Sequence, residues 1–97
     1  MARFDVYSTP EGYLVDIQSN LTTGLGTRVV VPLVEYPVAP PPTRKLHPSF
    51  EFDGGQFVLA THLMTAVSVE ELRRKVGSLD EHYDRIVAAI DMVFNGF

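Results

Sequence analysis

Residues 49–60, SFEFDGGQFVLA, decide the fold class of this chain. Phe50 and Phe52 alternate with polar residues, the segment Asp53-Gly54-Gly55 follows, and an apolar run returns over residues 56–60. Period-two alternation that leads into an Asp-Gly turn and is followed by a second apolar segment is typical of an antiparallel β-hairpin. We therefore predict a hairpin here, and we look for its partners on both sides along the chain.

The N-terminal region has the same pattern. In RFDVY, residues 3–7, Phe4 and Val6 share one face while Asp5 and Tyr7 point to the other, as in a strand with one buried face. The segment YLVDIQ, residues 13–18, resumes the alternation after a turn that contains proline and glycine. We predict that these two segments form a second antiparallel hairpin.

A third strand is predicted over RVVVPL, residues 28–33, after a loop that contains two glycines. Its β-branched and apolar composition is typical of a strand with both faces covered, and we expect it to end near Pro32 because proline cannot donate to a ladder. Residues 36–48 then hold five of the seven prolines. Proline and the residue before it favour extended backbone, so a stiff surface loop is predicted there.

The last third of the chain has one ambiguous segment and one clear element. Within residues 61–77, TAVSV favours an extended strand, whereas Ser68 followed by Glu71 could cap a short helix. Beyond it, apolar residues recur every three or four positions, which predicts a helix that begins near Ser78 or Asp80. The residues of this stripe are Leu79, Tyr83, Ile86, Ile90, Val93 and Phe97.

These elements predict one α+β domain, mainly β, that covers residues 1–97. Its sheet is a strongly curved antiparallel sheet or open barrel of about five strands, and one long C-terminal helix closes it.

Composition narrows the possible functions. The chain has no cysteine, which excludes disulfides, thiolate metal sites and a cysteine nucleophile. Its formal net charge of −4 is the wrong sign for a protein that binds nucleic acid through phosphate contacts. The longest apolar run, VVVPLV at residues 29–34, is too short to cross a membrane, and the N-terminus does not resemble a secretory leader, so we expect a cytoplasmic protein.

Signals for catalysis or cofactors are weak. The histidines His47, His62 and His82 lie far apart in the sequence and have no metal-ligand spacing, so we interpret the first two as loop residues and His82 as lying on the wet side of the helix. Neighbouring carboxylates such as Asp80 and Glu81 are typical of a solvated helix start. The tripeptide Gly-Leu-Gly at 24–26 lacks the context of a phosphate loop. We predict no enzymatic activity, no cofactor and no metal.

Five blocks of the sequence carry a resemblance to a known family. They are FDVY at 4–7, YLVDIQS at 13–19, RVVVPL at 28–33, KLHP at 45–48 and AIDMVFNGF at 89–97. In order and spacing this set resembles the CcdB toxin family over nearly the whole chain. The resemblance implies an SH3-like barrel with a long C-terminal helix, a homodimer, and a toxin that poisons DNA gyrase by inserting its C-terminal residues between the gyrase A subunits. It also implies a paired antitoxin whose disordered C-terminal tail neutralises the toxin.

Carried over position by position, the resemblance assigns two sets of candidate residues. Those for gyrase are Asn95, Gly96 and Phe97, with Phe94 and Asp91 one turn earlier, and Leu21 and Thr22 beside the tail across the dimer. Those for the antitoxin lie in one turn and one loop: Ser8, Thr9, Pro10, Glu11, Gly12, Pro40, Pro41, Pro42, Thr43, Arg44, Lys45 and His47. The cationic cluster at 73–75 is most often a solvated face, but it could attract an acidic antitoxin tail.

Three alternatives remain open at this point. Asn95 stands where the best-known members of the family carry tryptophan, so the chain could be a retargeted or non-toxic homologue. An endoribonuclease toxin of the MazF kind shares the barrel, although the chain offers few cations for an RNA groove apart from Arg28. Phe97 could either project as an aromatic probe or fold back on the core as the last member of the helix stripe.

Overall fold

The computed structural model describes residues 2–22, 24–35 and 45–96. Within them the chain forms seven strands, which are β1 (Asp5–Thr9), β2 (Gly12–Asp16), β3 (Thr27–Glu35), β4 (Ser49–Phe52), β5 (Gly55–Leu59), β6 (Thr65–Ser68) and β7 (Lys75–Ser78). One helix, α1 (Tyr83–Asn95), follows a 3-10 turn at Asp80–His82. Further 3-10 turns lie at Asn20–Thr22, Thr61–Leu63 and Val69–Glu71.

The strands form one antiparallel sheet in the order β4-β5-β3-β2-β1-β7, and β6 also pairs with β3. Both predicted hairpins are confirmed, with Phe50 opposite Phe57 in one and Val6 opposite Val15 in the other. The predicted fold class is confirmed as a curled antiparallel half-barrel with one C-terminal helix. The sheet exceeds the predicted five strands because the ambiguous segment contributes two more.

That segment combines both interpretations. Residues 65–68 are extended and form β6, and Ser68 then caps the 3-10 turn that follows, its side-chain oxygen accepting from the Glu70 N–H. Sequence propensity could not decide between strand and helix because each is correct for a few residues only. Pairing of β6 with β3 settles the extended part.

Strand β3 is the centre of the sheet, and it runs beyond the predicted end. It pairs with β2 on one side, whereas on the other its first half pairs with β6 and its last three residues with β5. Pro32 lies where the second side passes from β6 to β5. The Pro32 carbonyl accepts a hydrogen bond from the Ala60 N–H. The nitrogen of Pro32 points to the same side, between β6 and β5, where no ladder partner requires an N–H donor. The prediction that the strand ends near Pro32 is therefore wrong.

Curling brings the two ends of the sheet together. A Cβ placed on Gly77 of β7 would lie 2.7 Å from the ring of Phe52 on β4. These strands stand at opposite ends of the sheet order, and any side chain at position 77 would have to displace the Phe52 ring. The Phe52 ring therefore fills the space between β4 and β7, which are not joined by backbone hydrogen bonds in the sheet order.

The main core lies between the sheet and α1. Its buried members include Phe4, Val15, Leu33, Leu59 and Ile86. Of the predicted helix stripe, Leu79 and Ile86 are buried and Ile90 packs against the core, whereas Tyr83 is 48% exposed and Val93 is 37% exposed. Phe97 lies outside the described residues.

A second, smaller core covers the opposite face of β1. Tyr7 packs there with Val30 and Leu72, and Asp5 is also buried. The expectation that one face of β1 is exposed to solvent is therefore wrong, because Leu72, which follows the 3-10 turn at Val69–Glu71, and Val67 of β6 pack on that side. The strand also begins at Asp5 rather than Arg3, since Phe4 has a left-handed φ of 71° that a strand cannot contain. None of the described helices has the length and hydropathy needed to cross a bilayer.

Candidate functional site

The C-terminal end of α1 presents the first set of candidate residues to solvent. Asn95 is the last helical residue, and Gly96 follows in the left-handed conformation with φ of 78°. The Gly96 N–H donates to the Met92 carbonyl at 3.1 Å, which closes the helix and turns the chain off its axis. Asn95 and Gly96 are exposed, and so is 68% of Phe94. The next residue, Phe97, lies outside the described residues.

Asp91 belongs to the same surface. It precedes Phe94 and Asn95 by three and four positions, so the three side chains share one face of the helix. All three are exposed. The structure thus places Asp91, Phe94, Asn95 and Gly96 on one exposed surface at the end of α1, and their role in binding gyrase stays a prediction.

Leu21 and Thr22 lie at the other end of the helix. They occupy the 3-10 turn at Asn20–Thr22, where Leu21 is 95% exposed and borders a small cavity of about 230 Å³. Asp80 and Tyr83, at the start of the helical segment, line the same cavity. A helix of 13 residues is about 20 Å long at ~1.5 Å per residue, so within one subunit this turn and the tail do not form one site.

A buried ion pair holds the Leu21 turn in place, and sequence reasoning missed it. Arg28 donates from Nε and Nη2 to the two carboxylate oxygens of Asp16 at 2.8 and 3.0 Å, and both residues are buried. Arg28 also donates to the Gln18 carbonyl, and Gln18 donates from Nε2 to the Thr22 carbonyl. A chain of hydrogen bonds therefore runs from the ion pair to the candidate turn.

The same pair removes Arg28 from the surface. Its side chain is 3% exposed, so it is not available as a cation in an RNA groove, and that interpretation is wrong. The pKa of the neighbouring Tyr7 is affected by the charges of this region. Its pKa is raised, mainly by burial and then by the negative charges of Asp5 and Asp16. The signal in the sequence was the charged residue within each apolar strand, which was not used.

The candidate antitoxin turn forms the tip of the β1–β2 hairpin. Thr9 fixes the tip, because its Oγ1 donates to the Gly12 carbonyl at 2.8 Å and accepts from the Glu11 N–H at 3.3 Å. Ser8 is held through its N–H, which donates to the Arg74 carbonyl. Pro10, Glu11 and Gly12 are exposed. Two surface cavities, of about 630 and 490 Å³, flank this tip.

Of the second antitoxin segment, the structure describes only Lys45 and His47, since Pro40, Pro41, Pro42, Thr43 and Arg44 lie outside the described residues. His47 Nε2 lies 2.8 Å from His62 Nδ1, and the two rings meet edge to face. Burial, followed by the charge of His62, lowers the pKa of His47. The two histidines that were considered far apart are therefore hydrogen-bonded neighbours, because folding brings the 3-10 turn at Thr61–Leu63 against residue 47.

His82 does not lie on a solvent-facing side of the helix. It ends the 3-10 turn before α1, and its side chain is partly buried. Its ring packs on Phe50 with centroids 4.6 Å apart, and its Nε2 lies 3.4 Å from a carboxylate oxygen of Glu81. Within the described residues, no group of three or more histidines, aspartates and glutamates is arranged to hold a metal ion.

Comparison with known protein families identifies the family of this chain. The family model described as CcdB protein matches residues 3–96. The chain belongs to the CcdB family. Membership implies a gyrase-poisoning toxin of a toxin–antitoxin module, with gyrase and an antitoxin as its partners, and toxins of the CcdB family are non-enzymatic. No curated protein matches the chain.

Proposed function

We propose that this CcdB protein is a homodimeric toxin that traps DNA gyrase on cleaved DNA by inserting its C-terminal tail between the gyrase A subunits. The inserted residues are Asn95, Gly96 and Phe97, with Phe94 and Asp91 at the base of the tail. The protein acts in the cytoplasm as a single toxin domain, without chemistry of its own, and a cognate antitoxin neutralises it. The match to the CcdB model over residues 3–96 carries this proposal.

The geometry of the tail supports insertion. Gly96 ends the helix at an exposed position and turns the chain away from the helix axis. Phe94 is an exposed aromatic residue at the base of the tail, and large aromatic side chains that become desolvated carry much of the binding energy of protein interfaces. A tail of this kind can enter a cleft without unfolding the domain that presents it.

The positions of Leu21 and Thr22 support a dimer. They lie about one helix length from the tail of their own subunit, so the role that family resemblance assigns them beside a tail requires the tail of a second copy. Large apolar side chains are exposed in both regions, since Leu21 of the turn and Leu25 of the following loop are exposed, as are Val93 and Phe94 at the helix end. A two-fold axis would allow each end to meet the opposite end of its partner, as an isologous interface requires.

The buried Arg28 favours gyrase poisoning over the ribonuclease alternative. An RNA-cleaving toxin needs cations that can reach phosphates, and the guanidinium of Arg28 is committed to Asp16 inside the protein. A gyrase poison does not need such a groove. The net charge of −4 agrees with this preference.

The experiment compares the full chain with a variant that lacks Gly96 and Phe97. Supercoiled plasmid, gyrase and ATP are incubated with each protein, and linear DNA is measured after detergent and protease treatment. The full chain is expected to accumulate linear DNA, whereas the truncated chain is expected to leave the plasmid uncleaved while keeping the same circular dichroism spectrum and melting temperature. Persistent trapping by a folded, truncated chain would refute tail insertion, and RNA cleavage by either protein would favour the ribonuclease.

Asn95 gives a second test. Asn95→Trp adds a ring that can stack on a cation of the target, an interaction worth about 1–2 kcal/mol when desolvated. If gyrase is the target, the variant should trap cleaved DNA at a concentration about tenfold lower than the parent protein. A truncated Asn95→Trp variant is the matched control. Equal potency of parent and variant would favour a retargeted homologue.

A further inference from the structure

A cleft lies beside the tip of the β1–β2 hairpin, between β2, β3 and the turn that joins β4 to β5. Its volume is about 630 Å³, within the range of ligand-binding sites. Glu11, Tyr13, Glu35, Asp53 and Phe57 line its walls, and β3 forms its floor. Three of these five side chains are carboxylates, so the cleft is both acidic and aromatic.

The cleft exists because β2 and β3 separate at this end. Their ladder stops with Tyr13 opposite Leu33, yet β3 continues to Glu35 alongside β5. If the β2–β3 register continued, Glu11 would stand opposite Glu35. Two like charges directly opposite each other destabilise an antiparallel pair, which gives a physical reason for the separation.

A hydrogen bond and a ring contact hold the aromatic wall in place. Tyr13 donates from its hydroxyl to Asp53 Oδ2 at 3.0 Å, and its ring meets Phe57 edge to face with centroids 5.4 Å apart. This hydrogen bond ties β2 to the β4–β5 turn across the cleft. Aromatic faces attract cations, so the wall and the carboxylates favour the same kind of ligand.

The negative surface continues around the hairpin tip. The neighbouring cavity of about 490 Å³ shares Glu11 and Leu14 with the cleft and adds Glu71. Among the described residues, no ion pair involves Glu11, Glu35 or Glu71. All three residues are exposed, so a cationic partner can reach their carboxylates.

We infer that this cleft binds an extended segment of the antitoxin in which lysine or arginine alternates with aliphatic residues, one cation lying between Glu11 and Glu35. The identity of the ligand rests on the proposed function, whereas its chemistry rests on the cleft. Alternating side chains suit the site because an extended strand directs successive residues to opposite sides. An acidic tail attracted to the cations at 73–75 is the competing interpretation, and it would avoid this cleft.

The first experiment maps a defined probe on the intact toxin. One acetylated decapeptide alternates lysine with valine, and its control carries glutamate in place of each lysine. Amide resonances of Gly12, Leu14 and Glu35 should shift on addition of the lysine peptide, which we expect to bind about tenfold more tightly than the control at low salt. Equal binding of both peptides, or shifts centred on residues 73–75, would overturn the inference.

The second experiment uses the antitoxin encoded beside the toxin gene. The double variant Glu11→Lys/Glu35→Lys should lose about tenfold or more in antitoxin affinity and escape neutralisation, while it still traps cleaved DNA with gyrase. The control Glu51→Lys/Glu81→Lys carries the same change in net charge on exposed residues outside the cleft and should be neutralised normally.

The outcomes separate the two proposals. Normal neutralisation of Glu11→Lys/Glu35→Lys would overturn the inference and leave gyrase poisoning intact. Failure of the parent protein to trap gyrase would refute the proposed function, but the peptide map would still decide the chemistry of the cleft.

Discussion

Arg28→Met should destabilise this protein more than any change at its exposed surfaces. The substitution keeps a long apolar side chain but removes the guanidinium, which makes two hydrogen bonds to Asp16 and one to the Gln18 carbonyl. Asp16 is fully buried, so its carboxylate would lose its counter-charge with no access to water. Among the described residues, the donor that would remain is the Gln18 N–H, 3.0 Å from Asp16 Oδ1.

The size of the loss follows from burial. Removing one partner of a buried ion pair costs about 3–5 kcal/mol, mainly because the other charge stays uncompensated. Domains of this size have a free energy of unfolding of about 5–15 kcal/mol, so the variant would lose a large part of its stability. A loss of about 3 kcal/mol lowers the melting temperature of a 60–100-residue domain by about 12–24 °C. Asp16→Asn combined with Arg28→Met removes both charges and should recover at least about 1 kcal/mol.

Thermal and urea denaturation of the parent, the two single variants and the double variant would measure this coupling. Amide hydrogen exchange adds a local readout, because Gln18 links the pair to the Thr22 carbonyl and Thr22 donates its N–H to Ser19. We expect faster exchange at Thr22 in Arg28→Met. If Arg28→Met lowered the melting temperature by less than about 4 °C, the reasoning would be refuted. A double variant no more stable than Arg28→Met would refute it as well.

Three further predictions concern a close approach, a helix end and a histidine pair. Gly77→Ala should cost about 1–3 kcal/mol in urea denaturation, because its Cβ would lie 2.7 Å from the Phe52 ring, and Phe52→Leu in the same chain should relieve the cost. Gly96→Ala should cost about 1–2 kcal/mol from its φ of 78° alone, since no atom lies within 4 Å of the new Cβ; an unchanged melting temperature would argue against a left-handed Gly96. His47 has its pKa below the ordinary 6.5, so the folded state binds fewer protons than the unfolded state and this group destabilises the protein as the pH falls through 6.5. NMR titration should show the pKa of His47 rising in His62→Ala, and no change would rule out the observed pairing as a cause.

The proposed gyrase-binding tail and the proposed antitoxin cleft have different structural origins. The tail depends on a single local device, the left-handed Gly96, whereas the cleft at the hairpin tip depends on how three strands diverge. Mutations that disturb the sheet should therefore weaken antitoxin binding more than they change the conformation of the tail. This separation allows poisoning and neutralisation to be tested independently.

Local patterns were sufficient for much of the fold. The two hairpins and the helix follow from alternation with a period of two, turn residues and apolar spacing with a period of 3.6, because each depends on residues close together in the sequence. The exposed end of α1 was equally predictable, since a glycine after the last helical turn is a local signal. Membership of the CcdB family was also carried by short blocks of sequence and their order.

What the sequence could not determine depends on contacts between distant residues. The sequence by itself established the β-rich class, the helix and the candidate tail, because propensity and periodicity act over a few residues. Only the tertiary structure decided that Pro32 lies inside a strand, that Asp16 and Arg28 pair in the interior, and that His47 meets His62. Each of these depends on which segment becomes the neighbour of another when the sheet curls, and pairing energies between distant strands leave no local pattern.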